Sequence, residues 1–225
     1  DRRLYRDKQQ VIFIDTLKMS SRRPIYRNDS AAGEQCNFST AKGLQQFHQS
    51  LPHYSQTPLV SLPDLAAEIG VRAVLVKDES SRFGLPSFKI LGASWGCYRA
   101  IVSHLGLTPT VSLQELSAEA KKNSISLTAA TEGNHGRAVA FMARLLGIPA
   151  QIFVPRDMDE GARDSVAQEG ANVVVVQGDY DEAVREAYKA TQSTNGLLLG
   201  QDTSFEGYED VPAWIVEGYA TMLSE

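Results

Sequence analysis

The sequence predicts an α/β fold built from parallel sheets with flanking helices, and three observations carry that prediction. Between residues 125 and 200, short β-branched or apolar runs alternate with amphipathic stretches. Glycines close those stretches at Gly147, Gly170 and Gly196. The interval between successive runs leaves room for one helix each time, as right-handed crossovers between parallel strands require.

Taken in order, residues 1–57 are the least regular, with turn formers and arginines concentrated in 20–33, and they read as an extended arm around a larger body. Ser61 and Asp64 have capping-box spacing with Pro63 between them, which predicts a helix ending at Gly70. Residues 71–77 alternate and are β-rich, hence a strand. An apolar stripe from Ile90 through Leu91, Trp95, Tyr98, Ile101 and Val102 predicts a long helix ending by Gly106, with Lys89 at its start. Ser112 and Glu115 make a second capping box for a helix running to Lys122. Strands are then expected at 125–130, 150–154, 172–176 and from 197. Helices are expected at 134–146, 161–169 and 181–193, and an amphipathic helix at 211–225.

Composition excludes several classes. The net charge of −5 is spread without a clustered basic face, so no nucleic-acid partner is expected, and small neutral or zwitterionic ligands suit the chain better. Cys36 and Cys97 form no CxxC pair, which indicates neither a disulfide framework nor a thiolate metal site and fits a reducing compartment. The longest apolar run near the start, 11–14, is too short for a signal peptide or a membrane span, so a soluble, cytoplasmic protein without a membrane partner is expected. Asp1 is not an initiator methionine and no cap closes the last helix, so both ends are read as cuts in a longer chain.

Two segments suggest chemistry. Lys89 opens an apolar helix beside Phe88, in the run Ser87-Phe88-Lys89-Ile90-Leu91-Gly92-Ala93. A lysine there is either a solvated helix-end residue or an amine whose pKa burial lowers, leaving a nucleophile for Schiff-base formation. Thr131-Glu132-Gly133-Asn134-His135-Gly136 forms a turn after a strand, where open parallel sheets bind ligands. Gly133 and Gly136 allow close backbone approach, and Asn134 offers a donor and an acceptor to a heteroaromatic ring, or simply caps the helix. There is no GxGxxG, Walker loop or HExxH, and His135 has no partner histidine at ligand spacing, so no metal is expected.

The segment from Lys77 to Lys89 and the TEGNHGRAVA run from Thr131 resemble fold-type II pyridoxal-phosphate enzymes, the tryptophan synthase β-like family. RFGLPSFK, TEGNHGRAVA, the QDTSFEGY run from Gln201 and the VPAWIVEGYATM run from Val211 resemble, within it, the diaminopropionate ammonia-lyases. The likeness runs from about Gln56 onward. It implies pyridoxal 5'-phosphate as cofactor, a small amino-acid substrate, a homodimer at full length, and elimination of ammonia, most closely from 2,3-diaminopropionate to pyruvate. A serine or threonine dehydratase-like lyase is the neighbouring alternative, and a truncated, non-catalytic derivative acting through protein contacts is the other.

By the same resemblance Lys89 holds the cofactor and takes the α-proton, Ser87 and Phe88 line it, and Gly133 and Gly136 shape the turn. Asn134 meets the ring hydroxyl, and Asp202 is a second active-site acid. Glu132 stands where these lyases usually have Asp, a carboxylate serving the opposite substrate enantiomer. The longer side chain extends its reach by about 1.5 Å, and a misplacement of about 1 Å costs on the order of 100-fold. The resemblance also implies a partial two-domain fold. Its parts are the start of a large domain carrying Lys89 (58–106), a small α/β domain (107–195) and a return to the large domain (196–225). The Gly-rich phosphate loop and the rest of the large sheet are expected beyond Glu225.

Overall fold

The computed structural model describes residues 41–225, so most of the expected arm, 1–40, lies outside the described residues. The remainder of it is not extended. Helix α1 (Leu44–Ser50) turns Leu44, Phe47 and His48 into the core. Its histidine is tied at both nitrogens, Nδ1 to Thr221 Oγ1 at 2.7 Å and Nε2 to the Leu91 carbonyl at 3.0 Å.

The next elements are β1 (Leu59–Ser61), α2 (Pro63–Ile69) and β2 (Leu75–Lys77), with β1 and β2 antiparallel. The capping box expected at Ser61 does not form, because Ser61 pairs with Leu75 in the ladder and Leu62 becomes the N-cap, with Pro63 just inside the helix. The strand expected over 71–77 is shorter. Gly70 closes α2 in the left-handed conformation, and the Val71 N–H bonds back to Ala66, holding 71 in the helix terminus.

Helix α3 (Lys89–Leu105) follows a short 3-10 turn at Arg82–Gly84 and is capped by Gly106 at φ 62°. Helix α4 (Leu113–Lys122) has the complete capping box: Ser112 Oγ accepts from the Glu115 N–H while the Glu115 carboxylate accepts from the Ser112 N–H. The chain then alternates through β3 (Ser126–Ala130), α5 (Asn134–Leu146), β4 (Ala150–Pro155), α6 (Glu160–Gln168), β5 (Asn172–Val176), α7 (Tyr180–Ser193) and β6 (Leu197–Leu199). It finishes with α8 (Asp210–Gly218) and α9 (Ala220–Ser224), which divide the expected last helix at Tyr219. Asp159 and Asp179 cap α6 and α7 through their carboxylates, so both helices start a residue before the sequence reading placed them.

The four parallel strands stand in the order β5-β4-β3-β6. From β3 the chain builds outward through β4 to β5, then returns to the other side of β3 as β6, so the direction of winding reverses between β3 and β6. Because Leu197–Leu199 pairs with 126–128, the sheet continues past residue 195, where the small domain was expected to end. Strand alternation divides the core. Leu127, Ala129, Ile152 and Val154 face a cluster with Ala138, Val139, Met142 and Leu146 of α5, while Ala130, Phe153 and Leu199 face Ala183 and Ala187 of α7. No helix among the described residues is long and apolar enough to cross a membrane.

Helix α3 is buried on nearly every side, from Ile90 through Tyr98. It accepts α8 that closely only because the contact is notched. A Cβ on Gly92 would lie 2.5 Å from the Tyr219 ring, one on Gly96 would lie 2.4 Å from Ile215, and one on Gly218 would lie 2.6 Å from the Leu91 carbonyl oxygen. At Gly218 the obstacle is backbone and cannot swing aside. Gly218→Ala is therefore expected to cost about 1–3 kcal/mol, a fall of roughly 3–10 °C in Tm, measured by thermal unfolding. A second expectation concerns pH. Burial pushes His48 down from 6.5 to about 4, against the raising effect of its bond to Leu91. Below pH 6.5 the unfolded chain takes up a proton that the folded chain refuses, so stability is complete above that pH and falls progressively toward pH 4, by about 3 kcal/mol. Urea unfolding across this range should show the loss in the wild type and a flatter profile in His48→Gln.

Candidate active site

The approach to Lys89 is fixed from behind by a buried arginine. Arg82 holds Glu79 through Nε and NH2 at 2.7 Å each, reaches the Ser55 carbonyl at 3.0 Å and Thr57 Oγ1 at 2.9 Å, and meets both carboxylate oxygens of Glu225 at 2.8 and 2.7 Å. Lys77 joins Glu225 at 2.9 Å. The two cations and two carboxylates balance, which allows the cluster to be buried. It also holds the turn in which Phe83 (φ 54°) and Gly84 (φ 78°) both take left-handed backbone, an uncommon conformation for a phenylalanine. Beyond that turn, Ser87 Oγ accepts the Lys89 N–H at 3.1 Å and so satisfies one of the free donors at the start of α3.

The Lys89 ammonium lies 5.8 Å from the Phe88 ring centre and 5.9 Å from that of Tyr219, and these two rings meet edge-on at 5.0 Å. Nζ donates to Asp202 Oδ2 at 2.9 Å. The other oxygen of Asp202 is held by Gln201 Nε2 at 3.2 Å. Gln201 is itself locked, because its Oε1 accepts the Ala130 N–H at 2.8 Å and its amide donates to Tyr180. Asp202 thus stands at the carboxyl end of β6 and the Thr131–Gly136 turn at the carboxyl end of β3. That is the point of reversal in the sheet, where parallel α/β folds open a crevice for ligands.

Thr131 organises the turn. Its Oγ1 accepts the N–H groups of Gly133 and Gly136, each at 3.0 Å, and donates to the Gly133 carbonyl. A Cβ at Gly136 would lie 2.3 Å from Thr131 Cγ2, so glycine is required there. A Cβ at Gly133 would meet nothing within 4 Å, which leaves open space above the turn. Asn134 is the first residue of α5, not its cap, and is exposed; Gly133 takes the cap position. Glu132 is exposed on the same loop. The structure therefore brings Lys89, Phe88 and Asp202 into contact and leaves Glu132 and Asn134 facing outward.

Three neighbours went unassigned by sequence reasoning. His135 is buried, with Nε2 on the Gly200 carbonyl at 2.7 Å and Nδ1 3.6 Å from Asp202. Tyr219 packs on Lys89 and has a buried hydroxyl without a hydrogen-bond partner among the described residues. Gln201 orients the acid. Both His135 and Gln201 sit inside motifs already singled out, next to Asn134 and Asp202; Tyr219 carries no local signal beyond its run.

The electrostatics reverse one expectation. Burial alone pushes the Lys89 ammonium down, but the hydrogen bond and charge of Asp202, with Tyr219 beside it, outweigh burial and hold its pKa above the usual lysine value. Burial pushes Asp202 up, yet His135 and Lys89 hold it below the usual carboxylate range. Among the described residues the arrangement fits an aldehyde cofactor: a half-buried amine with one anionic partner, open space over a glycine turn, and unpartnered buried polar atoms on Tyr219 and His135.

The pyridoxal-phosphate dependent enzyme family matches residues 50–225. A diaminopropionate ammonia-lyase of Escherichia coli K12 is 40% identical over 191 residues, covering 83% of this chain and 47% of that protein. One from Salmonella typhimurium is 35% identical over 212 residues, covering 92% and 52%. The crystal structure of the Escherichia coli diaminopropionate ammonia lyase in complex with an aminoacrylate-PLP azomethine reaction intermediate superposes with a TM-score of 0.73 at 36% identity, over 84% of this chain and 49% of that one. The chain spans about half the length of the curated relatives it matches.

The ion pair gives a direct expectation. Its stability is complete between the ordinary carboxylate and lysine ranges; it is lost as pH rises through the raised Lys89 value, and also as pH falls through the lowered Asp202 value. Asp202→Asn removes the strongest influence that opposes burial, so the Lys89 pKa should fall. Labelling of Lys89 by an amine-selective acylating reagent, followed by peptide mass mapping, should then reach half its limiting rate at lower pH than in the wild type.

Proposed function

The chain belongs to the pyridoxal-phosphate dependent enzyme family, and from that premise we propose that it forms part of a cytoplasmic ammonia-lyase acting on 2,3-diaminopropionate, with pyruvate and ammonia as products. The observation that carries the reading is the Lys89–Asp202 contact at the reversal point of the sheet, with a glycine turn facing it. The likeness to diaminopropionate ammonia-lyases over most of the chain supports the substrate.

In this reading Lys89 holds the cofactor through its amine, lined by Ser87 and Phe88, while Gly133, Asn134 and Gly136 seat the ring. Bound pyridoxal phosphate supplies an electron sink for negative charge developing at the substrate α-carbon. The work of the chain is proton handling. Ser87 fixes the start of α3 and so the direction of the lysine, and Tyr219 and Phe88 shield one side of the amine from water. Lys89, once its amine is free, is the base for the α-proton, and Asp202 within hydrogen-bond reach stabilises the ammonium that results. Glu132, on the open side of the turn, is read as the carboxylate toward the opposite enantiomer. Residues 58–106 and 107–195 are read as parts of two domains of the whole enzyme, with the site where they meet.

The test is pyruvate release from 2,3-diaminopropionate by the full-length protein, together with its visible absorbance. Lys89→Ala should remove the visible band and lower turnover by at least about 100-fold, the low end for loss of a positioned acid–base group. Full turnover in that variant would sink the proposal.

A further inference from the structure

We propose that His135 is the reserve cation of Asp202: it takes up a proton at Nδ1 when Lys89 gives up its charge, so that the carboxylate always faces one positive partner. A backbone carbonyl only accepts, so the 2.7 Å contact between His135 Nε2 and the Gly200 oxygen places a hydrogen on Nε2. Protonation of this ring therefore changes at Nδ1 alone. Nδ1 is buried, has no hydrogen-bond partner among the described residues, and stands 3.6 Å from Asp202 Oδ2. In the neutral ring its lone pair confronts a carboxylate oxygen. A proton there would put a positive charge 3.6 Å from the carboxylate, within ion-pair range.

The same oxygen, Oδ2, already accepts from Lys89 at 2.9 Å, while Gln201 holds Oδ1. One carboxylate thus separates two nitrogens, and a single positive charge suffices. With Lys89 as ammonium, Asp202 ionised and His135 neutral, the three groups carry no net charge. With Lys89 neutral, Asp202 still ionised and His135 protonated, they again carry none. In the exchange one N–H bond breaks at Lys89 Nζ, one forms at His135 Nδ1, and the carboxylate is unchanged.

The surroundings leave this pair of states isolated. Burial, the largest influence, and the Lys89 charge, the smallest, disfavour protonation of His135, whereas Asp202 and the Gly200 carbonyl favour it; together they hold its pKa below the usual imidazole value. The other titratable groups packed around it are Tyr219 beside Lys89, Tyr208 bonded to the Leu199 and Gln201 carbonyls, and Cys97 of α3 against Gly200. Burial pushes all three up, Cys97 to about 12, so they stay neutral. Among the described residues, Lys89 and Asp202 are the charges that act on His135.

A lysine that must serve as a neutral amine leaves a half-buried acid unpaired, and His135 removes that obstacle. This use rests on the reading of Lys89 as the cofactor lysine; the exchange itself does not. It can be measured on the full chain free of cofactor, by following the imidazole nitrogens through a pH titration with nitrogen-15 NMR. The His135 signals are assigned by their absence in His135→Gln. In Lys89→Met the protonation equilibrium of His135 should become more than twofold more favourable, because a nearby like charge is lost. In Asp202→Asn it should become less favourable than in the wild type. An equilibrium in Lys89→Met within twofold of the wild type, or one unmoved in Asp202→Asn, overturns the proposal. Because no cofactor is present, that result leaves the lyase reading standing, whereas a full-length protein inactive on 2,3-diaminopropionate would remove the lyase reading and leave the exchange.

Discussion

The close approach of α3 and α8 governs the geometry of this protein. Two glycines on α3 and one on α8 remove the side chains that would hold the helices apart, and the backbone at Leu91 and Gly218 comes into direct contact. Everything near Lys89 follows from that distance. Tyr219, the residue after Gly218, reaches over Gly92 to lie on the lysine, and Ile215 fills the notch at Gly96. Farther along α3, Trp95 donates to Glu217 at 2.6 Å and Arg99 joins the same carboxylate at 3.2 Å, which fixes the rotation of α8. The following turn, α9, then delivers Thr221 to His48 and Glu225 to Arg82. One apolar contact thus positions a buried histidine, a buried arginine and the wall of the site.

Charge in the interior is handled by neutral sets. Around Arg82, two cations and two carboxylates meet with little water. At Lys89 one carboxylate is shared between an ammonium and an imidazole. The first set has every charge matched within hydrogen-bond distance, whereas in the second His135 Nδ1 stands 3.6 Å from Asp202 with no hydrogen-bond partner among the described residues.

Much of the fold was legible in the sequence because its signals are local. The capping box at Ser112 and Glu115, the glycine terminators at Gly106 and Gly147, and the alternation in 126–154 each depend on residues within a few positions of one another. The reading failed where a distant partner intervened. Ser61 has the spacing of a cap, yet its backbone is claimed by Leu75. Residues 44–50 look irregular by composition, yet become a helix because α3 offers Phe47 and His48 a buried surface. At the site, the sequence pointed to Lys89 and Asp202 separately, and to His135 only as a histidine without a metal partner.

What the sequence by itself determined is the alternation of strands and helices, the place of Lys89 at a helix start, and the motifs that mark the family. Only the tertiary structure decided the charge of that lysine. Local sequence left open a solvated lysine or an amine of lowered pKa, whereas a carboxylate 113 positions away in the chain holds it as an ammonium. A residue's pKa depends on the groups within a few ångströms of it, and which groups those are is fixed by the sheet reversal that sets β6 beside β3.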